Sequence, residues 1–197
     1  MRELIKDKFA KSMTMFFRFI ADTFFAKRYG HRAVVLETVA AVPGMVAGVW
    51  LHMKSLRRMK SGLGPKIREM MEEAENERMH LMIFIDIAQP SWLERYIVLF
   101  AQFIFIIFYL MLYIFFPKTA HRMTHYFEEE ACKSYTQYLH QVESGQTENI
   151  DAPQIAIDYY GLDHDAKLSD VIKKVRADEE NHSKVNLYYS QEEYENQ

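Results

Sequence analysis

The amino-acid sequence predicts an all-α fold, a four-helix bundle of the ferritin-like class with short and amphipathic extra helices. The first observation is a repeated spacing, since Glu77 and His80 lie three residues apart and Glu179 and His182 repeat that spacing later in the chain. The second is composition, because 49% of the 197 residues are hydrophobic and 14% are aromatic, with seven Gly and five Pro. The third is a helical recurrence of apolar residues in the first part of the chain. Together these features favour packed helices over a many-turned β fold.

The two Glu-x-x-His pairs predict a pair of metal sites. Residues three apart on a helix lie on one face, so each pair can hold one ion. Ferritin-like bundles build di-iron carboxylate centres from two such pairs and one further glutamate on each of two other helices. Glu37 is the first of these further glutamates, because it lies in the mainly apolar stretch 32–50, where an unpaired carboxylate would be costly.

The second further glutamate comes from three consecutive acids, Glu128, Glu129 and Glu130. His121 lies seven residues before Glu128 and Tyr135 lies seven after it, so these three side chains share one helix face. We therefore expect Glu128 to face the centre, Glu129 to face solvent and Glu130 to face the neighbouring groove. The alternative is a solvated acidic face, which the adjoining His and Tyr make less favourable.

The chemistry of the candidate ligands indicates the metal. Four carboxylates match the charge of two Fe(II) ions, and two imidazoles add one neutral nitrogen to each. This oxygen-rich set suits iron or manganese better than zinc. Few protein ligands per ion leave open positions, which indicates dioxygen chemistry. The candidate ligands are Glu37, Glu77, His80, Glu128, Glu179 and His182.

Residues 8–28 predict an amphipathic helix that lies in a membrane interface. Basic side chains lie off an apolar stripe of helical spacing, as is typical of such helices. Residues 1–32 carry eight Lys and Arg against three acids, whereas residues 126–197 carry six against sixteen, so the front of the chain suits anionic lipid. The alternative is an ordinary amphipathic helix that faces a protein core. The stripe consists of Phe9, Met13, Phe16, Phe17, Ile20 and Phe24, and the basic residues are Lys8, Lys11, Arg18, Lys27 and Arg28.

Residues 97–116 form a run of twenty uncharged residues, IVLFAQFIFIIFYLMLYIFF. By hydropathy this run is a transmembrane span. The alternative is a bundle helix that packs inward on one side and contacts lipid on the other. Metal geometry favours the second interpretation, because a single crossing would place Glu77 and Glu128 on opposite sides of the bilayer. Ser91 and Glu94 predict a capping box where this helix begins.

Local signals predict the remaining boundaries. Pro43 and Gly44 indicate a kink in the helix that carries Glu37 rather than its end. Residues 145–153 predict a polar loop, and Ser169 predicts the N-cap of the final helix. We expect a single domain whose parts are the interface helix 8–28, the di-iron bundle 33–189 and a flexible tail 190–197.

Four segments resemble the signature boxes of the alternative oxidases, a family of non-haem di-iron ubiquinol oxidases. They are LETVAAVPGMV (36–46), EEAENERMHLM (72–82), FEEEACKSYT (127–136) and RADEENH (176–182). The resemblance runs from about residue 20 to residue 190. It implies a monotopic protein bound to the lipids of one leaflet, with the run 97–116 in the membrane plane. It also implies a homodimer, and no nucleic-acid partner is expected.

The resemblance implies an activity and assigns residues to it. Members oxidise ubiquinol and reduce O2 to water in a four-electron reaction, without proton pumping and without inhibition by cyanide. The resemblance makes the six candidate ligands the ligands of two iron ions per chain. It makes Tyr135 the catalytic tyrosine, which supplies an electron and a proton and becomes a radical during oxygen cleavage.

The resemblance also implies partners around the ligands and a quinol pocket. Side chains that orient the ligands or belong to the surrounding hydrogen-bond network are Asn76, Asp178, His121 and Tyr113. The residues implied to line the quinol pocket are Arg32, Leu36, Glu130, Ala131 and Ser134. Within that pocket Arg32 can donate to a quinone oxygen, and Glu130 can pass on protons.

Several features depart from the pattern of plant members. A long amino-terminal arm with a regulatory cysteine is missing from this sequence, so no disulfide switch is expected. Cys132, the one cysteine, is expected to be a buried packing residue in a reducing compartment. Tyr159 and Tyr160 stand where many members have Tyr-Trp. Without a visible targeting segment, the expected location is the cytoplasmic face of a bacterial inner membrane, with the matrix face of the mitochondrial inner membrane as the alternative.

Other functions remain open from the sequence. A plastoquinol-type oxidase or a di-iron quinone hydroxylase could share this bundle and its ligands. A non-catalytic ferritin-like iron binder or a membrane scaffold could use the same Glu and His residues structurally.

Overall fold

The computed structural model describes residues 2–25, 28–59 and 61–192, with side chains except at residues 2, 3, 21, 24 and 25. The described residues form seven helices: α1 (Arg2–Phe25), α2 (Tyr29–Arg58), α3 (Gly64–Ala88), α4 (Trp92–Phe115), α5 (Pro117–Glu143), α6 (Gln154–Tyr160) and α7 (Leu168–Gln191). Within these ranges, β-type backbone pairing is limited to one isolated antiparallel bridge between Asp151 and Lys167. The all-α prediction is confirmed.

Helices α2, α3, α5 and α7 form the four-helix bundle. The most extensive contacts are those of α2 with α3 and of α5 with α7, and α2 also packs against α5. Outside these four, α4 lies against α2 and α5, α1 lies against α5 and α2, and α6 contacts α3. The predicted architecture, a bundle with additional helices on its surface, is therefore the observed one.

Two clusters of buried apolar side chains hold the helices together. One includes Phe84 of α3 and Val171 of α7, and residues of α6 extend it. The other lies beneath α1 and α4 and includes Phe105 and Met123. Burial of side chains of this size contributes about 1.5–3 kcal/mol each, so these clusters supply the main stabilisation of the helix packing.

A close approach of α2 and α3 occurs at Gly44. A Cβ atom at this position would lie 2.6 Å from the backbone oxygen of Met70 and 3.0 Å from the backbone nitrogen of Ala74. As predicted, α2 does not end at Pro43 but continues to Arg58. A glycine one residue later lets α3 pack directly on the backbone of α2.

Helix α1 is longer than the predicted interface helix 8–28. It begins at residue 2, and its described part ends at Phe25. Arg28, the predicted last residue of the helix, is instead the N-cap residue of α2. The apolar pattern extends back through Leu4 and Ile5, which the sequence reading left out of the helix. The predicted positions Phe24 (side chain) and Lys27 lie outside the described part of the chain.

The apolar residues of α1 face two directions rather than forming one stripe. Met13 and Phe17 pack against the cluster beneath α1 and α4, and the ring centroid of Phe17 is 5.5 Å from that of Phe105. The outward apolar residues are Phe9, Phe16, Phe19 and Ile20. The helix therefore contacts the bundle and also presents an exposed apolar face.

Two of the described helices, α2 and α4, are long and apolar enough to cross a membrane. Within the most apolar 18-residue stretch of each helix, 56% is buried in α2 but only 28% in α4. Helix α4 packs on α2 and α5 along one side, while Trp92 and Phe100 on its other side are 71% and 67% exposed. The run 97–116 thus packs inward on one side only.

The two predicted helix starts have different outcomes. The capping box at α4 is confirmed, since Ser91 Oγ accepts from the backbone of Glu94 and the Glu94 carboxylate accepts from the backbone of Ser91. The predicted N-cap at Ser169 is wrong, because α7 begins at Leu168. The Ser169 backbone N–H donates to Asn149 Oδ1 at 2.9 Å. The preceding loop supplies this acceptor, so the helix starts earlier than Ser169.

Candidate metal centre

The four predicted carboxylates meet inside the bundle, each from a different helix. Glu37 comes from α2, Glu77 from α3, Glu128 from α5 and Glu179 from α7, and none is more than 1% exposed. Each glutamate lies on the inward face of its helix, as spacing predicted for Glu77, Glu128 and Glu179 and as the apolar surroundings predicted for Glu37. The fold therefore concentrates four acidic groups in a region without solvent.

His80 and His182 complete two overlapping groups of possible metal ligands. In each group, the donor atoms lie within 4.8 Å of one another. One group consists of Glu37, Glu77, His80 and Glu179, and the other of Glu77, Glu128, Glu179 and His182. Because Glu77 and Glu179 belong to both groups, the arrangement has the geometry of a two-ion centre with shared carboxylates.

Both histidines direct one ring nitrogen at the carboxylates. His80 Nδ1 lies 3.3 Å from Glu37 Oε2 and 3.3 Å from Glu179 Oε1. His182 Nδ1 lies 2.6 Å from Glu77 Oε1. Each imidazole can therefore offer Nδ1 to an ion and keep its other nitrogen for an outer partner.

The donor atoms of this cluster are mostly without hydrogen bonds. Among the described residues, every carboxylate oxygen of the four glutamates is buried and lacks a hydrogen bond, except Glu37 Oε1. The Nδ1 atoms of His80 and His182 also lack one. A buried unsatisfied polar atom costs about 1–3 kcal/mol, and a charged one costs more. Two coordinated cations would satisfy these atoms together, so the donor set fits a pair of metal ions.

Electrostatics within the protein lead to the same conclusion. Burial, followed by the charges of neighbouring glutamates, raises the pKa of Glu37 and Glu128 well above the usual value. Burial opposes the charged form of His80, but the nearby carboxylates of Asp178 and of the ligands outweigh burial and raise its pKa. Without a metal, bound protons must supply the positive charge that the clustered carboxylates require.

Tyr135 contacts the cluster directly. Its O–H donates to Glu37 Oε1, and its ring stacks on Phe84 with a centroid distance of 5.5 Å. The side chain is 2% exposed. Burial and then the charge of Glu37 raise the pKa of Tyr135 well above the usual value, so the phenol keeps its proton.

Asp178 and Asn76, which the resemblance implies lie around the ligands, form a network beside His80. Asp178 Oδ2 lies 3.2 Å from His80 Nε2, and it accepts hydrogen bonds from Asn76 Nδ2 at 3.2 Å and from the Tyr160 O–H at 2.7 Å. Asn76 Nδ2 also donates to the Tyr159 oxygen at 2.8 Å. Tyr159 and Tyr160, whose role the sequence left open, thus belong to the network that holds Asp178.

His121 and Tyr113 form a second buried network. His121 Nε2 lies 3.4 Å from the Tyr113 hydroxyl, and His121 Nδ1 lies 2.9 Å from Asn186 Oδ1. Burial and the charge of Lys66 lower the pKa of His121 to about 3, so its imidazole is neutral. A neutral imidazole can donate from Nδ1 to Asn186 and accept at Nε2 from Tyr113.

Two of the residues implied to line the quinol pocket, Arg32 on α2 and Glu130 on α5, contact α1. Arg32 is buried and its Nη1 lies 2.6 Å from Asp22 Oδ1. Glu130 pairs with Arg18 and lies 2.6 Å from Lys133 Nζ. The remaining three are partly or fully buried, namely Leu36, Ala131 and Ser134. Polar groups of α1 therefore contact both charged members of the predicted pocket.

Two surface cavities lie elsewhere, between α2 and α4. Their volumes are about 500 and 420 Å³, and Trp50 and Arg57 line both. The Arg57 guanidinium lies 5.4 Å from the centroid of the Trp50 ring. No residue of the predicted quinol pocket lines either cavity.

The acidic triplet of α5 divides as predicted. Glu128 is buried, the Glu129 side chain is 46% exposed, and the Glu130 side chain is 16% exposed against α1. Cys132, in contrast, is only half-buried rather than buried. Burial raises the pKa of its thiol to about 11, so Cys132 remains protonated near neutral pH.

The sequence did not reveal the contacts of several side chains near the predicted quinol pocket and the metal centre. Arg18 and Asp22 pair with each other through Nε and Oδ2 at 3.4 Å, and their i, i+4 spacing on α1 was an available signal. Glu73 lies four residues before Glu77, and Asn186 lies four after His182. This spacing places both on ligand-bearing helix faces.

Comparisons with known proteins identify the family. The family model for the alternative oxidases matches residues 1–191. The chain is 51% identical to ubiquinol oxidase 1c, mitochondrial, of Arabidopsis thaliana, over 97% of this chain and 58% of that protein. It is 53% identical to ubiquinol oxidase, mitochondrial, of Mangifera indica, over 93% of this chain and 58% of that protein. The chain thus spans less than two thirds of the length of these relatives. By these matches, it belongs to the alternative oxidase family.

Proposed function

We propose that this protein is a ubiquinol:oxygen oxidoreductase that oxidises ubiquinol, reduces O2 to water and transfers no charge across the membrane. The observation that carries the proposal is the pair of overlapping ligand groups with Tyr135 donating to one of the ligands. Family membership and the names of the relatives, which are ubiquinol oxidases, support the choice of substrate.

The cofactor of this family is a pair of non-haem iron ions, and the buried donor groups fit two ions. Bound there, the iron pair supplies the redox chemistry of O2 reduction. The chain itself contributes four buried carboxylates, whose charge matches two divalent ions, and an interior that excludes water. The proposed ligands are Glu37, Glu77, His80, Glu128, Glu179 and His182.

Tyr135 is the proposed catalytic residue. Its hydroxyl proton already lies in a hydrogen bond to Glu37 Oε1. Loss of an electron makes a phenol strongly acidic, so Tyr135 could give up an electron towards the reduction of O2, the oxidant of the proposed reaction, while its proton passes to this carboxylate. The stacked Phe84 ring and complete burial keep water and competing reductants from the resulting tyrosine radical.

The proposed quinol site lies between α1, α2 and α5. Arg32 would donate to a quinol oxygen, and Glu130 would accept a quinol proton. Their present partners, Asp22 and Arg18, are both on α1. Binding of the quinol head group therefore requires these ion pairs to rearrange, with α1 as the movable side of the pocket. The other proposed lining residues are Leu36, Ala131 and Ser134.

The proposed membrane association is monotopic, in one leaflet, through the outward apolar faces of α1 and α4. Exposed aromatic side chains on both helices support this, since aromatic and aliphatic side chains with basic flanks favour the lipid interface. The mitochondrial names of the relatives favour a mitochondrial location over the bacterial one expected from the sequence. Within mitochondria, the proposed position is the matrix face of the inner membrane. A homodimer is also proposed, and the molar mass of the detergent-solubilised protein would test it.

The function is tested by measuring iron content and quinol-dependent oxygen uptake on the purified protein in lipid. We expect about two irons per chain and ubiquinol-dependent oxygen uptake that persists in cyanide. Faster uptake with plastoquinol, or a hydroxylated quinone product, would replace the proposed reaction with one of the two related enzymatic functions. Bound iron without any quinol oxidation would indicate a non-catalytic iron binder.

A further inference from the structure

We propose that Tyr160 and Tyr159 form an electron path from the metal centre to the protein surface. Through this path a small water-soluble reductant such as ascorbate can remove an oxidising equivalent left on the iron pair when quinol is missing. The inference rests on the proposed function, because it needs an iron pair that reduces O2. It assigns a redox role to two tyrosines for which neither the sequence motifs nor the resemblance supplied one.

The electron count of the proposed reaction creates the need for such a path. Reduction of one O2 to water takes four electrons. Two Fe(II) ions oxidised to Fe(III) supply two of them and Tyr135 supplies a third, so the fourth must come from a further donor. When quinol does not supply it, one oxidising equivalent stays beside buried side chains. Methionine and cysteine are the side chains most open to such damage.

Tyr160 contacts the metal centre through a proposed ligand and through the partner of that ligand. Its ring is stacked with the His80 imidazole, with 6.5 Å between the ring centroids and 26° between the planes. Its O–H donates to Asp178 Oδ2 at 2.7 Å, and the same oxygen lies 3.2 Å from His80 Nε2. Tyr160 can therefore lose an electron through His80 while its proton passes to Asp178 along an existing hydrogen bond.

Tyr159 continues the path to the surface. Its ring meets that of Tyr160 edge-on, with the centroids 4.9 Å apart, which is within the range of direct aromatic contact. Tyr159 is 39% exposed, whereas Tyr160 is partly buried. The Tyr159 oxygen accepts from Asn76 Nδ2 at 2.8 Å, so its own hydroxyl proton remains available for transfer to water. The two residues thus connect a buried imidazole to solvent.

The proposed transfer balances electrons and protons. Tyr160 first gives one electron to the iron pair and its hydroxyl proton to Asp178. Tyr159 then gives one electron to the Tyr160 radical and its own proton to water, and Asp178 returns the first proton to Tyr160. Ascorbate restores Tyr159 by donating one electron and one proton, and it becomes the ascorbyl radical. In sum, one electron passes from ascorbate to the iron pair and one proton passes to water.

Tyr135 has no comparable outlet among the described residues. Its side chain is 2% exposed, and its hydroxyl donates to Glu37. Its ring contact is with Phe84, and phenylalanine is much harder to oxidise than tyrosine. A radical on Tyr135 therefore stays enclosed, whereas a radical on Tyr160 can pass to the surface.

The test mixes the Fe(II)-loaded protein in lipid with O2 in the absence of quinol and follows tyrosyl radicals by freeze-quench EPR, with and without ascorbate. Ascorbate should abolish the wild-type signal that outlasts the reaction with O2. Tyr160→Phe removes the proton donated to Asp178, and Tyr159→Phe interrupts the path one step later. The signal should therefore persist in ascorbate in both variants. Mass spectrometry after repeated exposure to O2 should also find more oxidised methionine and cysteine in them than in the wild type.

Two further variants separate electron transfer from a structural role of these side chains. Tyr188→Phe is the matched control, because Tyr188 is also exposed, at 62%, and its ring also contacts a tyrosine, Tyr189, at 5.2 Å. It lies outside the path, so ascorbate should still abolish the signal. In Tyr160→Trp the indole N–H can donate to Asp178 and the ring can be oxidised. This variant should restore the effect of ascorbate that Tyr160→Phe loses.

The possible results distinguish the two proposals. A wild-type signal that ascorbate does not remove, or removal in both Phe variants as in the wild type, would overturn this inference alone. A wild-type protein that binds no iron or does not react with O2 would overturn the proposed function as well. If Tyr160→Phe loses iron, Tyr159→Phe decides, because it leaves the hydrogen bond from Tyr160 to Asp178 in place. Persistence of its signal in ascorbate is then expected, and removal would contradict the inference.

Discussion

Helices α4 and α7 are both 24 residues long, but they depart from the usual pattern of burial in opposite ways. Helix α4 is apolar and exposes large aromatic residues, including Phe100 and Phe103. Helix α7 is polar and buries Glu179, His182 and Asn186. In the first helix hydrophobic surface faces outward, and in the second ionisable groups face inward.

In this protein, whether a side chain is buried depends on its partner and not on its hydropathy alone. Inside the bundle, metal ions can compensate the buried carboxylates of α7, which would otherwise be destabilising. Outside the bundle, lipid can compensate the apolar face of α4, which would otherwise promote aggregation. The buried carboxylates of α7 and the exposed apolar face of α4 are both unusual for a soluble protein. Each lies where a non-protein partner is proposed, metal ions for α7 and lipid for α4.

The largest expected effect is on α7, from Glu179→Gln. Because Glu179 belongs to both ligand groups, this variant should lose both irons and with them quinol oxidation. The metal-free form should become at least as stable as the metal-free wild type, since one buried carboxylate no longer repels its neighbours. Iron analysis and thermal unfolding, with and without metal, measure the two effects.

Glu180→Gln is the matched control, because Glu180 is the exposed next residue of the same helix. It should keep iron, activity and melting temperature. Two irons bound to Glu179→Gln would contradict the shared-ligand arrangement.

Tyr135→Phe should retain both irons but lose most of its turnover. The substitution removes the hydroxyl that donates to Glu37 and leaves the ring in its stack on Phe84. Steady-state oxygen uptake together with iron content separates this effect from metal loss. Near wild-type turnover would remove Tyr135 from the mechanism.

The apolar face of α4 is tested by the double variant Phe100→Glu and Phe103→Glu. Each exposed Phe that enters lipid contributes about 1.5–3 kcal/mol, so the double variant should bind vesicles at least about 100-fold more weakly. Its iron content should stay unchanged because both side chains point away from the bundle. Co-sedimentation with anionic vesicles measures the change.

Tyr188→Glu, on α7, provides the control for this surface. Tyr188 is also exposed, at 62%, but it lies on the polar helix. Its substitution should not change vesicle binding. Equal loss of binding in both variants would argue against α4 as the membrane-contacting helix.

A smaller effect is expected from Gly44→Ala, where α2 contacts α3. The added methyl group would meet the backbone of Met70 and Ala74, which cannot move aside as a side chain can. Overpacking costs about 1–3 kcal/mol, and the better helix propensity of alanine offsets about 1 kcal/mol of that. A net loss of up to about 2 kcal/mol in unfolding free energy is expected in denaturant titrations. Gly64→Ala, with open space around it, should show no loss.

The smallest effect is expected from Ser91→Ala at the start of α4, which should cost about 1 kcal/mol. The backbone N–H of Ser91 and, among other groups, its hydroxyl lower the pKa of Glu94 to about 2. A lowered folded-state pKa means that this carboxylate stabilises the fold above its unfolded pKa and loses that effect as the pH falls toward about 2. The difference in melting temperature between wild type and variant should therefore shrink on acidification below about pH 4. A difference that grew on acidification would contradict this cap.

Much of the metal centre could be predicted from the sequence, because helical spacing alone places i, i+3 and i+7 residues on one face. This argument selected Glu128 from three adjacent acids, and its burial is confirmed. The same kind of argument could not reveal Asn186, whose importance depends on which side chain of α3 lies opposite. The N-cap preference of serine wrongly predicted Ser169 as the cap of α7, because the acceptor supplied by Asn149 is twenty residues away in sequence.

The amino-acid pattern alone specified the helical fold, the identity of the six candidate donor groups and the capping box of α4, since these depend on local geometry and on the chemistry of individual residue types. The tertiary structure decided which groups meet across helices. It paired Asp22 with Arg32, Arg18 with Glu130, and Asn186 with Glu73. Such pairs depend on the rotation and offset of packed helices, which many distant contacts set together and no local pattern encodes.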